Sequence, residues 1–410
     1  MKRLICLASL LLLLSACASK PTTTEDYRSR AQTQIKGDIT VTAAVPDRDE
    51  TRKLFKSDLY KRGVQPVWLE ITNASDEEVS FLPVGLDPNY FSPIEAANLD
   101  LKLIPQSDSS AVLDIKFFGQ SLNTRIMPGE TQSGFIFSAL DEGTKSFNVD
   151  IIGSGSLTTF TFFVSVPGLH IDHYNVDWEN RHGAKEIRDL DAAELTAYLA
   201  DQTCCTTDKT GEGDGDPVNL VIIATPADVY AAFIRAGWDE TETITSATMW
   251  KTARSFFSGG AYRYSPVSGL YVFDRVQDVA FQKARSNIHE RNHLRLWMSP
   301  VTYQGVPVWM GQISRDIGVR FTTKTITTHK IDPDVDETRE FLLENLAYSQ
   351  AIKKFAYAEG AIAAPIGKPR GNFTGDPYVT DGFRLVMWLT STPVDILDIE
   401  YVPWNQPPGR

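Results

Sequence analysis

From Ile35 to Pro167 the chain alternates apolar and polar residues in short runs cut by turn residues, and this pattern confines the first part of the molecule to β-structure. Ile39-Thr40-Val41-Thr42-Ala43, Val67-Trp68-Leu69-Glu70-Ile71-Thr72-Asn73, Phe147-Asn148-Val149-Asp150-Ile151-Ile152 and Thr159-Phe160-Thr161-Phe162-Phe163-Val164 carry the pattern. A strand sends successive side chains to opposite faces, so such runs bury one face and wet the other. Asn73-Ala74-Ser75-Asp76 and Met127-Pro128-Gly129-Glu130 supply turns. Short strands at this spacing predict a β-sandwich over residues 35–168, with a short helix at Asp49–Leu59 and a turn or helix at Pro93–Asn98. A module of this kind carries, presents or binds, and no run in it has the spacing of a catalytic triad.

Residues 169–215 read as a connector of helix and loop. Asp191 is the expected N-cap of its helix, with Glu194 three residues on. Thr206–Asp216 is polar and glycine-rich. Laid on a calcium-binding template it places Asp208, Glu212 and Asp214, but Thr210 falls at position three and Asn219 at position twelve, so it reads as a surface loop. Residues 216–410 mix strands and helices, as an α/β or α+β domain. Val218–Ala224 is a buried strand, after which Thr225 caps and Pro226 opens a helix that Gly237 stops. Thr248–Phe257 and Asp336–Ala358 are helical in pattern, the second the longest in the chain. Leu270–Phe273, His293–Met298, Val308–Val319, Phe383–Thr390 and Asp395–Val402 read as strands.

At the N-terminus Lys2 and Arg3 precede an apolar run, Leu4–Leu14, far short of the roughly 20 residues of a membrane-spanning helix. It has the form of a removable signal peptide over residues 1–16. The run closes on Leu14-Ser15-Ala16-Cys17, which resembles the lipidation signal of bacterial lipoproteins. That resemblance implies cleavage before Cys17, diacylation of its sulfur and acylation of the new N-terminus, with chains of the palmitate type. Several acyl chains anchor stably where one binds only marginally. Ala18, in place of aspartate, implies sorting to the cell outer membrane, facing the periplasm. Residues 17–34 are then the lipidated terminus and a flexible tether.

Cleavage removes Lys2 and Arg3 and no acid, which takes the formal charge from −12 to −14. So acidic a chain is a poor general binder of nucleic acid. Cys6 leaves with the signal and Cys17 is acylated, so Cys204 and Cys205 are the remaining cysteines. Three states are open to them: two buried thiols, a vicinal disulfide, or a redox or ligand pair.

Charge is segregated in the second half. Lys283 to Lys330 holds eight bases against two acids, Glu290 and Asp316. Such a strip suits phosphate or carboxylate, because arginine binds those groups bidentately. Lys283, Arg285, Arg295 and Arg315 are its candidate ligand residues, the alternative being the wet faces of exposed strands. His289-Glu290-Arg291-Asn292-His293 fits H-E-x-x-H, which binds zinc when helical. His293–Trp297 alternates like a strand, however, which breaks i,i+4 geometry. His289, His293 and His329 stay as weak metal candidates. His293, Asp316, His329 and Asp332 are the candidate acid/base or metal cluster, provided that strands bring them together. Asp334 or Asp336 is expected to cap the helix that follows.

Asp216-Pro217-Val218-Asn219-Leu220-Val221, Ala236-Gly237-Trp238, Pro266-Val267-Ser268-Gly269-Leu270-Tyr271, Asp278-Val279-Ala280-Phe281-Gln282-Lys283, His293-Leu294-Arg295-Leu296-Trp297, Arg315-Asp316-Ile317-Gly318 and Thr328-His329-Lys330-Ile331-Asp332-Pro333-Asp334-Val335-Asp336 occur in this order. Together they resemble the LssY C-terminal domain family of bacteria, over about Asp216–Leu346. Lys330 stands where the family pattern often has a second histidine, and Glu290 lies outside that pattern. The family is mostly of unknown function. Some members resemble fusions to a lipid-phosphate phosphatase-like membrane domain, which implies envelope or phospholipid-related work. The first half resembles an Ig-like β-sandwich and no more specific family. Two functions follow as expectations. One is an outer-membrane-anchored lipoprotein that binds an anionic, phosphate-bearing ligand such as anionic lipid, or an envelope partner, through Arg295, Arg315 and their neighbours. The alternative is a hydrolase, phosphoesterase or metal-dependent, using His293, Asp316, His329 and Asp332. Neither names a cofactor.

Overall fold

The computed structural model describes residues 26–99, 115–141, 143–166, 176–178, 180–183, 187–211, 213–241, 269–284, 291–320, 328–373 and 375–407. The fold is mixed and mostly β. The described residues of its first part include the strands β1 (Gln32–Lys36), β2 (Ile39–Ala44), β3 (Val64–Asn73), β4 (Val79–Leu82), β5 (Arg125–Ile126), β6 (Thr131–Ala139), β7 (Gly143–Gly153) and β8 (Ser156–Val166). They form two four-stranded antiparallel sheets, ordered β1-β2-β3-β6 and β5-β4-β7-β8. Period-two alternation decides which side chains meet. Val67, Leu69 and Ile71 of β3 face Val149, Phe160 and Phe162 of the other sheet in a shared core. Trp68, one residue out of phase, joins Phe135 and Phe137 on the outer face of its sheet, where Tyr27, Phe55 and Phe117 pack over them. Phe55 comes from α1 (Arg48–Phe55), which a capping box of Asp47 and Glu50 starts. Two short helices follow, α2 (Pro83–Leu86) and α3 (Pro93–Asn98), the latter capped by Ser92.

The second part is built on one large sheet. Its strands are β9 (Arg188–Leu190), β10 (Leu220–Ile223), β11 (Asp239–Glu240), β14 (Val279–Ala284), β15 (Arg291–Tyr303), β16 (Val306–Arg320), β17 (Thr328–Ile331), β18 (Ile352–Glu359), β21 (Phe383–Leu389) and β22 (Glu400–Tyr401). The pairs β12 (Tyr271–Val272) with β13 (Arg275–Val276), and β19 (Arg370–Gly371) with β20 (Pro377–Tyr378), are separate small ribbons. The sheet order is β11-β14-β15-β16-β10-β21-β18-β22, with β17 beside β16 and β9 beside β15. Most pairs are antiparallel, but β10 and β21 run parallel at its middle.

Helices cover both faces of this sheet. Leu220 and Ile222 of β10 and Leu294 and Leu296 of β15 meet α5 (Pro226–Arg235) and α6 (Val335–Tyr348) on one side. Val221, Ile223 and Trp297 meet α4 (Ala192–Asp201) on the other. Gly311 of β16 lies under this packing, since a Cβ there would stand 2.8 Å from Leu296 and 2.9 Å from Leu220. The two parts touch at β7 and β11, where Glu240 accepts bonds from the Thr144 backbone N and Oγ1 at 2.9 and 3.1 Å.

The caps read from sequence stand where expected. Asp191 and Glu194 form a capping box on α4, and Thr225 and Pro226 start α5 with Gly237 in the left-handed region just past its end. Residues 188–201 pack into the large sheet through β9 and Leu195 and Leu199 of α4, instead of spanning between the parts. The pattern Asp336–Ala358 does not make one helix. Gln350 turns left-handed after α6 ends at Tyr348, and Ile352–Glu359 continues as strand β18 against β21. Asp395–Val402 gives only a 3-10 turn and the two residues of β22. The helix expected at Thr248–Phe257 lies outside the described residues. No helix among the described residues is long and apolar enough to cross a membrane.

Candidate functional site

β14, β15 and β16 are neighbours in antiparallel register, so directly paired side chains line up on one face across three strands. Gln282, His293 and Ser314 form one rung, and Arg295 faces Gln312 in the next. Arg291 and Asp316 extend this face by one more residue pair. The out-of-phase neighbours Phe281, Leu294 and Ile313 point the other way, into the core under α5 and α6. The polar set therefore shares the α4 face of the sheet, beyond the apolar cluster around Trp297 and Met310. Every one of these seven polar residues is 6% exposed or less.

Buried polar groups need partners, and six of these seven residues find one within the face. His293 Nε2 lies 2.6 Å from Asp316 Oδ2. Arg291 Nη1 donates to Gln282 Oε1 at 2.6 Å, and Arg295 Nη1 to Gln312 Oε1 at 2.9 Å. Gln312 Nε2 reaches Asp216 Oδ2 at 3.4 Å, and Asn372 Nδ2 holds Asp216 Oδ1 at 2.7 Å. Asp216 stands just before β10, so the loop that precedes that strand places a carboxylate near Arg295.

Burial governs the electrostatics. Desolvation pulls His293 down to about 4, against the opposing pull of Asp316, so the ring is neutral at pH 7. A neutral ring bonded this way carries its proton on Nε2, donated to the carboxylate. Desolvation also raises Asp216 and lowers Arg291 and Arg295, which nevertheless stay cationic at neutral pH. The site holds two fixed guanidinium charges, a neutral imidazole and two carboxylates, one of which burial disfavours as an anion.

This sets a pH signature. The folded pKa of His293 lies below the unfolded value near 6.5, so the unfolded chain binds the proton first as pH falls. Stability tied to His293 is complete above about pH 6.5 and is lost between about 6.5 and 4, by on the order of 3 kcal/mol. Asp216 is shifted the other way and opposes it. Urea unfolding of wild type and His293→Gln across this range isolates the term. The wild-type advantage should shrink as pH falls, and a difference independent of pH would show that His293 titrates alike in the folded and unfolded chain.

The other sequence candidates lie elsewhere. Arg315 is one residue out of phase with Ser314 and Asp316, so strand alternation sends it to the opposite face from Arg295. There Arg315 Nε bonds Asn292 Oδ1 at 3.1 Å, Nη1 bonds Glu337 Oε2 at 2.5 Å, and the guanidinium lies over Phe341. Lys283 is also on that side and donates to the carbonyls of Ala236 and Gly237 at the C-terminal end of α5, a favoured place for a cation. A continuous basic strip is therefore not what these residues make. Asp332 leaves the cluster too, its Oδ1 accepting from the Asp334 backbone N at 3.1 Å. Asp334 caps α6, and Asp336 turns inward to Thr380 Oγ1 and the Asp381 backbone N. His329 lies opposite Val319 on β17, with its side chain outside the described set. Arg285 and His289 also lie outside the described residues. His293 belongs to a strand, so it cannot be the second ligand of a helical H-E-x-x-H site.

Of the four proposed acid/base residues the sheet brings His293 and Asp316 into contact. It adds Gln282, Arg291, Gln312, Ser314 and Asp216, which the sequence reading did not single out as site residues. Residues 193–383 match the family model described as LssY C-terminus. That stretch of the chain belongs to the family. The LssY C-terminus domain so defined runs from α4 to the first residue of β21, and it contains the whole polar face as well as Asp216 and Asn372. It begins earlier and ends later than the Asp216–Leu346 stretch that carries the sequence resemblance. No curated protein matches the chain. Cys204 and Cys205, inside the same domain, are joined as a vicinal disulfide.

Proposed function

We propose that the chain is an envelope lipoprotein, anchored to the outer membrane through Cys17, whose LssY C-terminus domain binds an anionic, phosphate-bearing ligand at the arginine face of β15. One observation carries the reading: Arg291 and Arg295 flank neutral His293 on one buried face, and Arg291 Nε, although buried, has no hydrogen-bond partner among the described residues. A buried guanidinium with an unspent donor is costly alone and is satisfied by an oxyanion. Burial raises Asp216, so its anion is disfavoured beside the two guanidiniums and opposes an anionic ligand less. Within this reading the first half is an Ig-like sandwich that presents the domain or contacts an envelope partner. Support comes from strand order: β2-β3-β6 opposite β5-β4-β7-β8 follows the Ig-type pattern in which the second and fifth strands pair in one sheet and the third, sixth and seventh in the other.

The test is a calorimetric titration with inorganic phosphate and with vesicles of anionic phospholipid. Arg291→Lys keeps the charge and loses the planar fork, so affinity should fall about tenfold. Arg315→Ala, on the opposite face, should leave it unchanged. Equal losses in both variants, or none in Arg291→Lys, would reject the site.

The His293–Asp316 contact favours a second reading, a hydrolase acting on an envelope phosphoester. A neutral imidazole oriented by a carboxylate is suited to take a proton from a nucleophile. If the domain turns over such esters, Asp316→Asn should slow turnover by about a hundredfold or more while ligand affinity stays near wild type.

A further inference from the structure

Cys204 and Cys205 stand at the root of the loop that carries Asp214 and Asp216, and the anion reading uses neither sulfur. We propose that this pair, with Asp214, is a redox-gated site for a soft divalent cation of the zinc or cadmium class. Both Sγ atoms and a carboxylate oxygen of Asp214 lie within 4.8 Å of one another. Three donors on one such ion, at about 2.3 Å for sulfur and 2.0–2.2 Å for oxygen, stand roughly 3.5–4 Å apart, so the sulfurs must part from their bonded separation once the bridge opens, while the carboxylate oxygen already lies close to that range.

The loop is folded by its own backbone and does not need the sulfur bridge to hold the donors together. Thr206 N bonds Asp216 O at 2.9 Å, Gly215 N bonds Thr206 O at 2.6 Å, and Val218 N bonds Cys204 O at 2.8 Å. Cys205 bridges to Pro217 across the same neck. Arg370 Nη2, 2.5 Å from Asp214 Oδ2, fixes the carboxylate through one oxygen. Tyr378 Oη lies 3.8 Å from Cys205 Sγ and is placed to donate to a thiolate there. Soft thiolate donors with one carboxylate select zinc-class ions over magnesium or calcium.

In the oxidised state the sulfurs are bonded to each other and present no thiolate. A bridge between adjacent residues closes a small ring and falls in the readily exchanged class. Two equivalents of a small-molecule thiol open it. The sulfur–sulfur bond breaks, both cysteines gain a proton, and the two thiols leave as their own disulfide. Cys204, less buried than Cys205, is the sulfur open to attack. Cation binding then displaces both thiol protons and forms two metal–sulfur bonds.

The experiment titrates cadmium chloride into purified full-length protein, before and after anaerobic reduction by a thiol that is then removed, following thiolate-to-cadmium charge-transfer absorption. The reduced protein should bind one ion per chain with release of two protons, and the oxidised protein none. Cys204→Ser/Cys205→Ser should abolish the band. Asp214→Asn, a change at an exposed side chain that spares the fold, should weaken binding about tenfold or more. A reduced wild type without the band, a band that survives in the double serine variant, equal binding by the oxidised protein, or unchanged affinity in Asp214→Asn would overturn the proposal.

Discussion

Arg384→Leu should lower the unfolding free energy of the protein by on the order of 4 kcal/mol, among the largest losses of any substitution in the second half. Arg384 lies at 0% exposure in β21 and binds no carboxylate among the described residues. Its guanidinium donates instead to five carbonyls: Val218 at 3.0 Å, Thr203 at 2.7 Å, Gly360 at 2.8 Å, Gln202 at 3.2 Å, and Leu199. Those oxygens belong to the end of α4, the approach to the disulfide, the lead into β10 and the turn after β18. One side chain therefore ties β21 to three stretches distant in sequence, at 199–203, Val218 and Gly360.

Burial pulls Arg384 down to about 10, which leaves it cationic at neutral pH. Leucine removes the donors and strands several buried carbonyls, each costing about 1–3 kcal/mol less whatever water recovers. The fit is close on every side, since a Cβ on Gly360 would stand 2.6 Å from Arg384 Nη1. Urea unfolding checks this. A loss under about 1 kcal/mol would show that these segments hold without the arginine.

Cys17→Ser should move the protein from the membrane fraction to the soluble fraction almost completely. Each buried methylene contributes about 0.8 kcal/mol, so several acyl chains make anchoring effectively permanent, and serine offers no sulfur to acylate. The described chain begins at Asp26, and Tyr27 is already packed against Trp68 and Phe135. Nine residues from Cys17 reach at most about 30 Å, so an acylated Cys17 would hold the folded part near the lipid surface. Fractionation with metabolic labelling by a radioactive fatty acid measures both effects. Unchanged sedimentation together with retained label would contradict the anchor.

Much of this arrangement was legible in the sequence, because strand parity is written there. Arg291-x-His293-x-Arg295 and Gln312-x-Ser314-x-Asp316 repeat with period two, so each triplet shares a face. The same rule separates Arg315 from Asp316, and counting charge along Lys283–Lys330 without counting parity merged two faces into one strip. Register was not legible. A slip of one residue between β15 and β16 would face Arg315 toward His293, and only the paired strands with Ile313 and Leu294 in the core fix it. Asp216 was beyond reach for another reason: it arrives from a loop whose path depends on the neck at Cys205 and Pro217. The overextended helix at Asp336–Ala358 came from apolar spacing that suits either structure, and the left-handed turn at Gln350 and pairing with β21 decide it.

Crystals of the protein soaked in a soluble, phosphate-bearing headgroup test the central claim most directly. The phosphate should lie between Arg291 and Arg295, with an oxygen on Arg291 Nε and His293 still bonded to Asp316. Phosphate on the opposite face beside Arg315, or an unliganded arginine face at saturating ligand, would contradict it.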